Sequence, residues 1–257
     1  MCASYNSTEE IYPLNYANKP GKVFIFNNQF FLKGQHRYGS DKDEIRLSKT
    51  FKDLNFEVET YIDKTAKGLE KCIKNMSKID YENVDCVLVF LMSHGTEGII
   101  YGIDEEAVYL TDFFDLFKSI SSLKGKPKLF FVNACRGNDL TQVHEDNPTH
   151  MGKTPKDADC LYCFSTTTNY SSIRESEEGS WFIQILCDLI EKYKSTNHLT
   201  DILTFVNKEV DKKEGRDKKN QLVKMMSTYT SQLTRAFFFS QPINVNFLLI
   251  FFSVFSK

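Results

Sequence analysis

Two side chains in this sequence combine a type and a setting suited to covalent chemistry, the thiol of Cys135 and the imidazole of His94. Cys135 closes the stretch Lys126-Pro127-Lys128-Leu129-Phe130-Phe131-Val132-Asn133-Ala134-Cys135-Arg136-Gly137. An apolar run rich in Phe and Val, opened by Pro and closed by Gly, reads as a buried parallel strand. His94 ends a second run of the same kind, Asp85-Cys86-Val87-Leu88-Val89-Phe90-Leu91-Met92-Ser93-His94-Gly95. Open α/β sheets gather their chemistry outside the carboxyl ends of their strands. If the two strands are neighbours, thiol and imidazole emerge side by side, which is the minimum for thiol-based nucleophilic catalysis. Alone, Cys135 would be a small buried hydrophobe and His94 a hydrogen-bonded loop histidine. Two strands ending in this pair favour the chemical reading.

The elements that must hold the pair follow in order. The first strand is Lys22–Asn28, followed by a loop, Leu32–Gly39, that carries Arg37. Ser40-Asp41-Lys42-Asp43 has the form of a helix start, with a capping side chain and acids in the first turn, and Leu47, Phe51 and Leu54 continue it as an apolar stripe. Phe56–Ile62 alternates as a strand, and Leu69, Cys72, Ile73 and Met76 mark a second helix. After the His94 strand come a short hairpin around Gly98–Tyr101 and a helix near Thr111–Ser119, which leads into the Cys135 strand. This alternation predicts a mostly parallel sheet with helices on both faces. Asn138–Lys156 is polar, contains Pro148 and Pro155 and has no period, so it reads as an exposed linker. Beyond it are expected a strand (Asp159–Thr166), a polar loop (Thr167–Gly179), helices at Trp181–Tyr193 and Thr200–Val210, a charged loop (Asp211–Lys219) and a last strand near Thr228–Phe239.

Composition narrows the function classes. A chain of 257 residues with net charge −2 has room for a sizeable core and no electrostatic case for nucleic acid. Met1–Pro13 is polar and acidic, so no signal peptide is expected. Seven cysteines without regular spacing argue against a disulfide framework and for a reducing compartment. Cys160 and Cys163 form a CxxC, but residues three apart on a strand face opposite sides, so neither a metal nor any other cofactor is expected.

The residues also carry a family resemblance, over about residues 20–239. Met-Ser-His-Gly at 92–95 and Ala-Cys-Arg-Gly at 134–137 resemble the histidine and nucleophile motifs of the caspases, aspartate-specific cysteine proteases, of the short-arm executioner kind. Gly-Ser-Trp-Phe-Ile-Gln at 179–184 resembles the start of the small-subunit helix, and Ser231-Gln-Leu-Thr-Arg235 the final strand. The resemblance implies a three-layer sandwich around a mostly parallel six-stranded sheet. It implies a large subunit (21–146) and a small one (147–239); before them the chain reads as a flexible arm (1–20), and after them, unlike the family, it adds an apolar tail (240–257). It also implies that Cys135 attacks the peptide carbonyl, that His94 protonates the leaving amine, and that the backbone N–H groups of Gly95 and Cys135 hold the oxyanion. The histidine's orienting partner in the family is a backbone carbonyl, which has no side-chain signature.

For the substrate aspartate, the matching positions are Arg37 and Arg174, the latter in Ser172-Ile173-Arg174. Two guanidinium groups can clamp one carboxylate with planar paired bonds. The chain departs from the pattern in three places. Asn133 replaces the motif's Gln, which would leave a third pocket donor one methylene short. Ile173 stands where executioner members carry Trp, predicting a less aromatic neighbouring subsite. Glu175 stands where they carry Asn, and would repel an acid at the substrate's fourth position.

The expected function is an aspartate-directed cysteine endopeptidase of programmed cell death, made as a zymogen, cytoplasmic, and homodimeric as large/small pairs. Inhibitor-of-apoptosis proteins are implied as partners, and a membrane is not. The rival is a catalytically weak caspase-like regulator. Among Asp139, Asp146, Asp157 and Asp159, the expected processing site is Asp146, mid-linker with Val143 at the fourth position. The apolar run Asn246–Phe255 is too short to span a bilayer as a helix.

Overall fold

The computed structural model describes residues 10–136, 158–167, 172–216, 220 and 222–243. Strand β1 (Gly21–Asn27) leads to helix α1 (Ser40–Asp53), β2 (Glu57–Ile62), α2 (Ala66–Met76) and β3 (Cys86–Met92). A three-stranded antiparallel unit follows, β4 (Gly95–Thr96), β5 (Ile99–Tyr101) and β6 (Ala107–Tyr109), and then α3 (Leu110–Ser119) and β7 (Lys128–Asn133). The second part comprises β8 (Cys160–Phe164), the pair β9 (Arg174–Glu175) and β10 (Gly179–Ser180), helices α4 (Trp181–Tyr193) and α5 (Leu199–Asp211), the pair β11 (Gly215–Arg216) and β12 (Leu222–Val223), and β13 (Thr228–Ser231).

Six of these strands form the central sheet in the order β13-β8-β7-β3-β1-β2. All neighbours are parallel except β13, which runs antiparallel to β8. The apolar runs are continuous because both faces of the sheet are covered. Along β3, Cys86, Leu88, Phe90 and Met92 pack toward α1, α4 and α5, while Val87, Val89 and Leu91 pack toward α2 and α3. Along β7, Leu129 and Phe131 take the first side and Phe130 and Val132 the second. Stacked rings of Phe90 and Phe131, 4.6 Å between centroids, lock the two strands in register.

The expected sandwich is the observed one, with local corrections. Helix α1 is not capped by Ser40. Its N-cap is Gly39, in the left-handed region at φ 88°, and the Ser40 hydroxyl instead donates to Asn27 Oδ1. Residues 10–20 are not a loose arm. Ile11 bridges Ala236, and the buried Tyr12 hydroxyl donates to Asp159 Oδ1 at 2.6 Å, an oxygen that Thr234 Oγ1 also reaches at 2.6 Å. The last strand stops at Ser231 instead of running to Phe239, because Phe237 and Phe239 turn into the core beneath α1 and α5. The charged loop after α5 carries the short β11/β12 pair. Residues 241–243 continue past the core, with Ile243 N–H on Ser195 O at 2.9 Å. Among the described residues no helix is long and apolar enough to cross a membrane. Asp139, Asp146, Asp157 and the run 246–255 lie outside the described residues.

Candidate active site

Strands β3 and β7 pair in parallel up to Met92 and Asn133. Continuing that register by two residues sets His94 opposite Cys135, at the carboxyl edge where the two expected groups should meet. The closeness of the two chain segments is visible at Gly95. A Cβ there would lie 2.5 Å from Ile99 O and 3.0 Å from the Ala134 Cβ, so only glycine fits between the hairpin and the Cys135 loop. In the β4/β5 ladder, Tyr101 N–H donates to His94 O at 2.9 Å. Hydrogen-bonded and non-hydrogen-bonded pairs alternate in such a ladder. The next pair, Gly95 and Ile100, is therefore non-hydrogen-bonded, and the Gly95 N–H points away from β5.

The His94 ring is fixed from two sides. Its Nε2 lies 2.7 Å from the carbonyl oxygen of Gln35, and Phe31 packs on the ring with centroids 4.6 Å apart. A carbonyl oxygen only accepts, so the ring proton resides on Nε2 and the lone pair on Nδ1. Burial holds the imidazole below its usual pKa, with the Gln35 bond opposing and the charges of Arg37 and Arg174 adding to the depression. At neutral pH the ring is uncharged. Gln35 is the orienting partner that side-chain reading could not find, since any residue supplies a carbonyl.

Both expected arginines lie at this edge. Arg37 is 2 % exposed, and its Nη1 donates to Asn28 O at 3.0 Å, Ser40 Oγ at 3.2 Å and Asn27 Oδ1 at 3.4 Å, while Nη2 reaches Asn133 O at 3.4 Å. Arg174 donates from Nε to Tyr38 O at 2.8 Å. The Arg37 pKa is pulled down to about 9, by burial first and the charge of Arg174 second, with Asp43 and Cys135 acting in the opposite sense. Arg174 is lowered too, first by burial. A buried cation, Arg37, and a partly buried one, Arg174, whose charge depresses it, lie within electrostatic reach of a thiol and form a site that an anion would stabilise. Gly39 lets the two loops meet: besides its positive φ, a Cβ there would fall 2.3 Å from Glu175 O.

The remaining candidates fall around this pair. Asn133 does not extend a spare donor toward the arginines. Its amide donates to Ser180 Oγ at 2.9 Å and accepts from Ser172 Oγ at 2.7 Å, so the shorter side chain fits a gap between two serines. Ile173 is partly buried against the core, with its N–H on Met225 Sδ at 3.3 Å. Glu175 is exposed and accepts from the Trp181 indole N–H at 2.5 Å. Arg136, beside Cys135, grips Glu97 with two bonds of 2.9 and 2.5 Å and lies over the Phe164 ring.

Asp43 lies in the first turn of α1, as expected, and its carboxylate has a further role. It is 0 % exposed, and its Oδ1 receives the Ser180 N–H at 2.9 Å and the Gln184 amide at 2.8 Å. It thus ties α1 to the start of α4. Among the described residues there is no group of three or more His, Cys, Asp or Glu that could hold a metal ion.

Sequence comparison gives the family. The caspase domain family model matches residues 20–238. The chain belongs to the caspase family. Caspase-3 of Bos taurus is 37 % identical over 214 residues, covering 79 % of this chain and 77 % of that protein. Caspase-7 of Gallus gallus is 34 % identical over 249 residues, 89 % of this chain and 79 % of the relative. Caspase-8 of Mus musculus is 34 % identical over 262 residues, 91 % of this chain, and the match spans about half of that relative, 53 % of its length. At family level this caspase is a cysteine peptidase with the α/β fold that its motifs implied.

Proposed function

We propose that this caspase is a cysteine endopeptidase that cleaves after aspartate, acts in programmed cell death and is made as a zymogen cut within the linker that follows Cys135. The observation that carries the reading is the pair of guanidinium groups, the buried Arg37 and the partly buried Arg174, both within electrostatic reach of Cys135. In the reaction, His94 Nδ1 takes the thiol proton as Cys135 Sγ bonds to the carbonyl carbon after the aspartate. The carbonyl's π electrons move to oxygen, where the N–H groups of Gly95 and Cys135 stabilise the charge. As the tetrahedral adduct collapses, the C–N bond breaks, His94 returns the proton to the amine, and a thioester remains. Water, deprotonated by the same ring, then releases the acid and restores the thiol.

The linker cut at Asp146 is kept as part of this proposal, as are a cytoplasmic setting, pairing of two copies and inhibitor-of-apoptosis proteins as partners. Asp159 is a poor alternative cut, since its carboxylate is buried beneath Tyr12 and Thr234.

The deciding experiment is labelling with an aspartyl ketone that carries an α-leaving group, followed by peptide mapping. Modification at Cys135, abolished in Cys135→Ala and strongly reduced in Arg174→Lys, is the expected result. Failure of the intact, linker-cut protein to be labelled would overturn the reading in favour of a catalytically weak regulator.

A further inference from the structure

The loop between β1 and α1 has two unlike sides. Its inner side is pinned to the fold. The Asp63 carboxylate takes the N–H groups of Gln29 and Phe30 at 2.7 and 3.0 Å, Asn28 Nδ2 donates to Lys64 O and Tyr101 O, and Arg37 N–H closes the loop on Gln29 O at 2.9 Å. Its outer side carries Phe30 at 49 %, Leu32 at 68 % and Tyr38 at 57 % exposed. Phe30, His36 and Tyr38 meet edge to face, with centroids 5.4, 5.5 and 6.5 Å apart. Large apolar side chains left in water on a braced backbone mark a binding surface more than a packing accident.

The cluster is continuous with the cleft. Gln35 O and Phe31, in the same loop, hold the His94 ring, Arg37 reaches the candidate pocket, and Tyr38 O takes the Arg174 guanidinium. A peptide whose aspartate lies between the arginines and whose scissile bond lies at Cys135 must pass this edge. We infer that Phe30, His36 and Tyr38 form an aromatic subsite that selects substrates with an apolar, above all aromatic, side chain within two residues of the cleaved aspartate. This rests on the aspartate-directed peptidase reading and adds a substrate class to it. The occupant is the substrate chain, because the edge adjoins both reacting and recognition groups and the rings offer faces to a planar side chain.

The test uses the full chain, cut in its linker, with two sets of quenched fluorescent peptides. In one set alanine flanks a single aspartate; in the other phenylalanine takes each position within two residues of it in turn. The wild type is expected to cleave one or more of the phenylalanine peptides with kcat/KM roughly 2- to 12-fold above the alanine peptide, as an added aromatic contact would give. Phe30→Ser removes an exposed ring, so it is expected to erase most of that preference while hydrolysis of the alanine peptide is unchanged. Equal rates for both sets in the wild type, or an undiminished preference in Phe30→Ser, would overturn this inference and leave the peptidase reading standing. A change in self-association in Phe30→Ser, with peptide preference intact, would assign the surface to contact between copies and also overturn it. No cleavage of any aspartyl peptide would remove both readings together.

Discussion

The Nε2 atom of His94 lies 2.7 Å from the carbonyl oxygen of Gln35, two residues before Arg37, the cation of the proposed aspartate pocket. One short loop therefore sets the tautomer of the proposed acid–base group and delivers a cation for substrate recognition. Shifting it would disturb both at once.

This arrangement fixes the sign of the pH dependence. His94 must be neutral to take the thiol proton, and burial holds its pKa below the usual 6.5. The acid limb of kcat/KM is therefore expected below pH 6.5, measured over pH 5–8 with an aspartyl peptide. The same depression favours the neutral ring in the fold, so it costs stability as pH falls below the unfolded histidine's pKa. An acid limb above pH 6.5 would contradict a buried, carbonyl-bound imidazole.

The two arginines are expected to fail differently. Arg174 makes one bond from Nε within the described residues, so Arg174→Lys should fold normally and lose the planar fork. Losing one partner of a buried charge pair costs about 2–5 kcal/mol, so kcat/KM for aspartyl peptides should fall by roughly 30-fold or more. Arg37 fills a buried site with four bonds, so Arg37→Lys should also lower the melting temperature. Thermal melts beside peptide kinetics separate the two.

Asp43 is expected to matter for the join between α1 and α4. Asp43→Ala strands the buried Ser180 N–H and should destabilise by about 1–3 kcal/mol in denaturant titration. Asp43→Asn keeps an acceptor for Ser180 and Gln184 and should cost less. It also removes a negative charge close to Arg37, leaving the site more positive, so KM for aspartyl peptides should fall where the fold survives. Equal stability of the two variants would mean that the hydrogen bonds are not what Asp43 contributes.

What the sequence disclosed followed from periodicity and end residues. The runs at 86–92 and 128–133 were legible because a strand covered on both faces has no polar positions to blur it. The placement of His94 and Cys135 followed from those two strand ends. The partners that Asn133 takes were not legible because the serines that engage it, Ser172 and Ser180, lie far along the chain. Asp43 is legible as a first-turn acid of α1, but its bonds to Ser180 and Gln184 are not, because only the packing of α4 against α1 brings those partners to it. Gln35 was invisible because its carbonyl does the work. The end of β13 was overrun because the Phe residues at 237–239 suit a strand and a core turn equally well.

The N-terminal segment has a consequence for a severed chain. Ile11 and Tyr12 belong to the part before the linker, yet they bind Ala236, Thr234 and Asp159, which belong to the part after it. A cut among residues 137–157 would break the covalent thread near the chemistry while leaving this knot tied at the opposite edge of the sheet. The two fragments would then stay registered where Tyr12 meets Asp159 and Thr234, while covalent continuity is lost on the side that follows Cys135.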